Sequence, residues 1–154
     1  EPQMSIEKEE VLMATNSAAT WILKKAPYYY LVLLTVTGTL RSLIHMFAPD
    51  SGAMSIAGIP IEGEAGVNLV AIIGQWGASQ LVEAMMGLAV ILRYRQLTPF
   101  MLGIQLVELV LRLGVGWMKP LLVAAPPPGT YMTWILLPIT ALFWILSLQS
   151  SNHD

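Results

Sequence analysis

A chain of 154 residues has room for one domain. It is 55% hydrophobic and only 12% charged, where a soluble domain carries about 25% charge, so its composition points to lipid rather than water. The net charge of −2 leaves no basic footprint for nucleic acid, and the absence of cysteine excludes disulfides, iron–sulfur clusters and thiolate metal sites.

Residues 1–25 read as a polar cytoplasmic tail. Glu7, Lys8, Glu9 and Glu10 precede Val11, Leu12 and Met13, a pattern that fits either a short surface helix or a frayed segment. A cleavable signal needs a basic start, an early apolar stretch and a small-residue cleavage site. Here the first long apolar run begins only after Lys24 and Lys25, so the first span is expected to stay in the mature protein, with Met4 or Met13 available as a start.

Four stretches follow, at 26–47, 68–92, 99–118 and 130–148. Each is near or above the roughly 20 residues that a helix needs to cross a bilayer core, and in lipid each has to be helical because a lone strand would leave its backbone groups unpaired. The expected fold is therefore all-α: an integral membrane four-helix up-down bundle spanning 26–148, with a long irregular outer loop between helices 1 and 2 and a short tail at 149–154.

The connections carry their own signals. Pro49, Asp50, Ser51 and Gly52 stop the first helix, and Gly58, Pro60, Gly63 and Gly66 keep the next segment irregular. Within it, Ser55 to Glu62 alternates weakly and predicts a hairpin or a re-entrant cap over the outer end of the bundle. Thr98 and Pro99 restart a helix after Arg93, Tyr94 and Arg95, with Pro99 suited to the first helical position. Ala124 to Gly129, with three consecutive prolines, predicts a stiff polyproline-like turn, and Pro138 predicts a kink in the fourth span.

Basic residues set the orientation. Lys24, Lys25, Arg93 and Arg95 fall on one side, against Lys119 on the other. That asymmetry places both termini in the cytoplasm. Trp21, Tyr28, Tyr29, Tyr30 and Tyr94 then fit the inner interface, and Trp117, Tyr131 and Trp134 the outer one.

Charges inside the spans are the main functional signal, because each costs at least a few kcal/mol at membrane depth and calls for a partner or a site. Arg41 and His45 are four residues apart on the first helix, Gln80 and Glu83 three apart on the second, and Gln105, Glu108 and Arg112 share one face of the third. Gln75 fits neither face of the second helix cleanly. At 1.5 Å rise per residue, Arg41 and Arg112 lie at similar depth, just outward of Glu108 and Glu83. These positions predict an interior polar layer joining the first three helices: Arg41, His45, Gln75, Gln80, Glu83, Gln105, Glu108 and Arg112, with Glu108 as the nearest counter-charge for an arginine. Two readings stay open. A charge-balanced layer can simply glue helices together, or it can line a cavity for an ion, a proton or a polar head group.

Other chemistry is not encoded. The arginines compensate both carboxylates, which argues against a metal, and no Glu-x-x-His pair of a di-iron bundle is present. No Walker loop, nucleophile elbow or HExxH helix occurs, and no cofactor is specified. Gly74, Gly77 and Ala78, and Gly38 with Ser42, are spaced to allow close helix contact.

The arginine late in the first helix leading to His45-Met46-Phe47-Ala48-Pro49-Asp50, the Gly-rich second helix and the basic Arg-Tyr-Arg turn resemble small four-helix bacterial membrane proteins of the broadly DoxX-like kind. The resemblance covers most of 27–148. It implies a four-helix bundle in the bacterial inner membrane, in a group that includes accessory subunits of quinone-coupled sulfur oxidation, but it carries no catalytic residue over to this chain. The leading functional expectation is a non-catalytic accessory or scaffold subunit of a larger membrane complex. The alternative is a lipid- or quinone-binding protein with an intramembrane polar site and a redox association.

Overall fold

Apolar runs of this length leave backbone N–H and C=O groups nowhere to pair except along their own helix. The computed structural model is built accordingly; it describes the backbone of residues 2–151 and the side chains of Met13 and residues 24–149. Four α-helices follow one another: α1 (Pro2–Phe47), α2 (Gly63–Leu92), α3 (Thr98–Met118) and α4 (Pro128–Ser151), with a single 3-10 turn at Arg95–Leu97 ahead of α3. No strand occurs among the described residues.

The helices exceed their expected limits. The backbone of α1 is helical for 46 residues and runs through Pro27, so the expected tail is continuous with the first span rather than a separate short helix. α4 starts at Pro128, inside the predicted proline turn; a proline costs nothing in the first helical turn, where its missing N–H would be unpaired anyway. Pro138 lies within α4 and removes the donor to the Trp134 carbonyl, yet the helix continues past it.

Three segments are long and apolar enough to cross a membrane: Lys24–Phe47, Arg95–Met118 and Pro128–Gln149. The fourth expected span, on α2, is not among them. α2 has ample length at 30 residues, but Asn68, Gln75, Gln80 and Glu83 dilute its apolar content.

α1 packs extensively on α2, α3 packs on α4, and α1 also meets α4, while α2 and α3 barely touch. The four helices thus form an incompletely closed bundle with its gap between α2 and α3. One end is filled by an apolar core of Tyr30, Leu31, Val90, Ile91, Met101 and Leu102, against which Phe143 and Trp144 of α4 are packed. The Tyr30 ring stacks on Phe143 at 4.4 Å between centroids, and its hydroxyl meets Thr140 Oγ1 at 2.7 Å. That bond satisfies polar atoms that burial would otherwise penalise.

At the other end the α1–α2 seam is close because side chains are missing from it. A Cβ at Gly77 would lie 2.7 Å from His45 Cβ and 3.1 Å from the Ser42 carbonyl oxygen, and one at Gly87 would lie 2.6 Å from Thr35 Oγ1. Gly38, expected to share this role, has open space where its Cβ would be, and Ser42 turns its hydroxyl back to the Gly38 carbonyl at 2.8 Å.

The outer loop forms neither the predicted hairpin nor any strand; residues 49–57 are successive turns. Asp50 organises them. Its Oδ1 accepts from Gly52 N at 2.9 Å, and its Oδ2 accepts from Ser55 N at 2.7 Å and Met54 N at 3.1 Å. These donors converge because Ser51 and Gly52 both take left-handed backbone conformations, at φ 51° and 77°. The amides of Ser55 and Gly52 and the Ser55 hydroxyl hold the Asp50 carboxyl down at about 2, from an ordinary 3.8.

Two measurements probe these features. Gly77→Ala, which sets a methyl against His45 Cβ and α1 backbone, should destabilise the detergent-solubilised protein by about 1–3 kcal/mol, whereas Gly38→Ala should leave it within about 1 kcal/mol of wild type. Equal effects would show that the seam is looser than described. For Asp50, a folded value below the unfolded one means that its contribution is complete above the unfolded value and is lost as pH falls toward about 2. The melting-temperature advantage of wild type over Asp50→Asn should therefore be constant from neutral pH down to the ordinary carboxylate range and shrink below it.

Candidate functional site

The polar groups expected in the spans collect at the open end of the bundle, beyond the apolar core. Gln80 is their centre. It is 7% exposed, and with its amide oriented by the surrounding donors its carbonyl oxygen accepts from Arg41 Nη2 at 2.8 Å and from Arg112 Nη2 at 3.1 Å. One acceptor on α2 thereby holds guanidinium groups from α1 and α3. Trp76, one turn earlier on α2, faces the same pair: its ring centre is 5.8 Å from the Arg41 guanidinium carbon and 5.2 Å from that of Arg112. Both distances allow cation–π attraction, which strengthens where water is excluded.

The carboxylates divide unequally. Glu108 pairs with Arg112 one turn along α3, the favourable order for a helical acid–base pair. Glu83 instead accepts from the Gln105 side-chain amide across the α2–α3 gap at 3.1 Å. The expectation that Glu108 is the counter-charge for an arginine thus holds for Arg112. Of the two carboxylates expected to be compensated by arginines, Glu108 forms the ion pair among the described residues, while Glu83 is bonded by Gln105 and Arg41 has no carboxylate within bonding reach. Arg41 bonds one amide oxygen and faces one indole ring, and Glu108 and Glu83 act on its charge from beyond bonding reach.

His45 sits at the outer rim, as its position four residues beyond Arg41 implies. Its Nδ1 is 2.8 Å from the Ser51 carbonyl oxygen, and its ring tilts against Trp76 at 5.2 Å, so it touches the cluster through the indole and ties it to the Asp50 turn. Gln75 does not join. It is exposed, and no hydrogen bond links its side chain to the cluster; five residues before Gln80, it lies roughly 140° around the helix from it. Trp76 is the member that charge-based reading missed. The signal was available in its spacing, since residues 76 and 80 stand four apart on one face.

Chemically the cluster presents hydrogen-bond donors. Two guanidinium groups converge there, and the Arg112 and Glu108 side chains keep 21% and 29% of their surface exposed, so the site can be reached from the α2–α3 gap. No three His, Cys, Asp or Glu side chains converge among the described residues. The arrangement suits holding an acceptor rather than breaking a bond. Compared with protein-family models, with curated proteins and with solved structures, the chain finds no match in any of the three.

A double-mutant cycle reads the ion pair directly. Removing Glu108 alone leaves the Arg112 charge half-buried and uncompensated, so Glu108→Ala should cost more stability than Glu108→Ala with Arg112→Ala, with a coupling of roughly 1–2 kcal/mol. Additive losses would mean that the pair is solvated and contributes little.

Proposed function

We propose that this chain is a multi-pass membrane protein with all four helices in the bilayer and both termini on the cytoplasmic side of a bacterial inner membrane. In this reading the α1–α3 cluster receives the head group of a lipid-soluble ligand that only accepts hydrogen bonds, such as a lipid or a quinone. One observation carries the proposal: two guanidinium groups share the Gln80 oxygen, and among the described residues only Arg112 has a carboxylate in direct contact. An arginine at membrane depth with no carboxylate in contact is expensive, and an anionic or carbonyl-bearing head group entering through the α2–α3 gap supplies the direct contact that Arg41 lacks. The apolar tail would lie along the exposed faces of α2 and α3, where Val82, Met86, Val107 and Leu111 stand at the surface. Sites of this kind combine a few placed polar groups with apolar walls.

The accessory-subunit reading draws on the same gap, which a helix of a larger complex would cover in place of a ligand. The resemblance to DoxX-like proteins supports the membrane setting of either reading and supplies no site residue.

Native mass spectrometry and lipid extraction of protein purified in mild detergent separate the two. A bound lipid or quinone should accompany the wild-type chain and fall at least tenfold, about 1.4 kcal/mol, in Arg41→Ala, while Gln75→Ala retains it. Retention by Arg41→Ala at the wild-type level would remove the site. A stoichiometric partner protein in place of any small molecule would favour the accessory role.

A further inference from the structure

The cluster among α1–α3 is short of hydrogen-bond acceptors rather than of negative charge, and that difference narrows what it can hold. A guanidinium has two needs, a counter-charge and acceptors for several N–H donors. For Arg41 the first is met from a distance: Arg112 repels it, while Glu108 and Glu83 attract it, so two cations stand against two anions. The second need is not met. Among the described residues the Gln80 oxygen is the one hydrogen-bond acceptor of Arg41, and the Trp76 face attracts it without offering a lone pair. Arg112, by contrast, bonds both Glu108 and Gln80.

The charges that count are local. Arg41 lies roughly 27 Å of helical rise from position 23, and α4 passes Tyr30 at Thr140 on its way to that same end, so both limits of the described side chains are remote from the cluster. The two carboxylates are also committed where they stand. Gln105 donates to Glu83 at 3.1 Å, and Glu108 is paired with Arg112 on its own helix. Bringing either to Arg41 breaks a bond already made, so the spare donors of Arg41 wait for an acceptor from outside.

An entering head group therefore meets a balanced field. An anion would leave the cluster with negative charge in excess and would be repelled by Glu83 and Glu108, in a partly buried place where unpaired charge is costly. A neutral oxygen takes the Arg41 donors and leaves the balance as it was. We propose that the cluster selects a neutral head group carrying acceptor oxygens, such as an ester or quinone carbonyl, and rejects an anionic lipid. Glu83 and Glu108 are then the residues that set specificity, since discrimination can come from repelling the wrong partner as well as from holding the right one. The proposal rests on the reading of this cluster as the site of a lipid-soluble ligand and narrows it.

The test uses the full chain, delipidated in mild detergent and titrated by native mass spectrometry with three probes: phosphatidic acid, its uncharged dimethyl ester, and a benzoquinone carrying an alkyl tail. The first two differ only in the methyl groups that remove the charge. The tighter-binding neutral probe should exceed phosphatidic acid by about tenfold, and its identity separates an ester source from a quinone source. Glu83→Gln keeps an oxygen for Gln105 and removes one negative charge, so it should shrink that ratio severalfold. Glu108→Gln should move the ratio in the same direction, which covers the case in which one variant fails to fold. Phosphatidic acid binding the wild-type chain as tightly as the neutral probes, or a ratio that neither variant moves, would overturn the selectivity and leave a ligand site at the cluster. Binding of none of the three probes, or binding that Arg41→Ala leaves at the wild-type level, would remove the site itself and the selectivity with it.

Discussion

Two positive charges within reach of a single amide oxygen are the constraint around which the open end of this bundle is arranged. Like charges repel, and the repulsion grows as water is excluded. The Arg41–Gln80–Arg112 junction therefore persists only with support from other groups: the Trp76 face under both guanidiniums, Glu108 one turn from Arg112, and Glu83 held nearby by Gln105. Each support comes from a different turn or helix, so the junction also fixes how α1, α2 and α3 sit relative to one another. α2 and α3 have little backbone proximity, and they are joined here by long side chains instead.

The two ends of the bundle solve different problems. At one end, Leu31, Met101 and Leu102 are fully buried and Tyr30 is satisfied by Thr140. At the other, polar groups replace apolar packing and part of their surface stays accessible. Charge is distributed to match. The cluster among α1–α3 is balanced overall between two arginines and two glutamates, though unevenly paired.

Much of this was legible in the residues. The helical class, three of the four stretches expected to span and the shared face of Gln105, Glu108 and Arg112 follow from length, composition and spacing, because helices have a fixed rise and period. Which arginine meets which glutamate does not follow, since pairing across helices depends on their relative rotation. Arg112 could choose the glutamate on its own helix, whereas Arg41 had to find an acceptor on another. Gln75, which fitted neither face cleanly, was counted in the layer although five residues turn it roughly 140° from Gln80, and Trp76 was overlooked because its role is electrostatic without being charged. The Asp50 turn was invisible as structure, since its order comes from consecutive left-handed residues that alternating polarity does not signal. Similarly, Gly38 and Gly77 look alike as small residues, and only the approach of α1 to α2 separates them.

The incomplete closure of the bundle has a mechanical consequence. α1 with α2, and α3 with α4, behave as two pairs, and the adhesive between the pairs differs from one end to the other. Apolar contact is non-directional, so the end around Leu31 and Leu102 tolerates a small rotation with gradual loss. Hydrogen bonds such as Gln105 to Glu83 and Arg112 to Gln80 weaken steeply with misalignment. A rocking of one pair against the other would therefore pivot at the greasy end and part at the polar end, so any mobility of this molecule is expressed first at the mouth between α2 and α3.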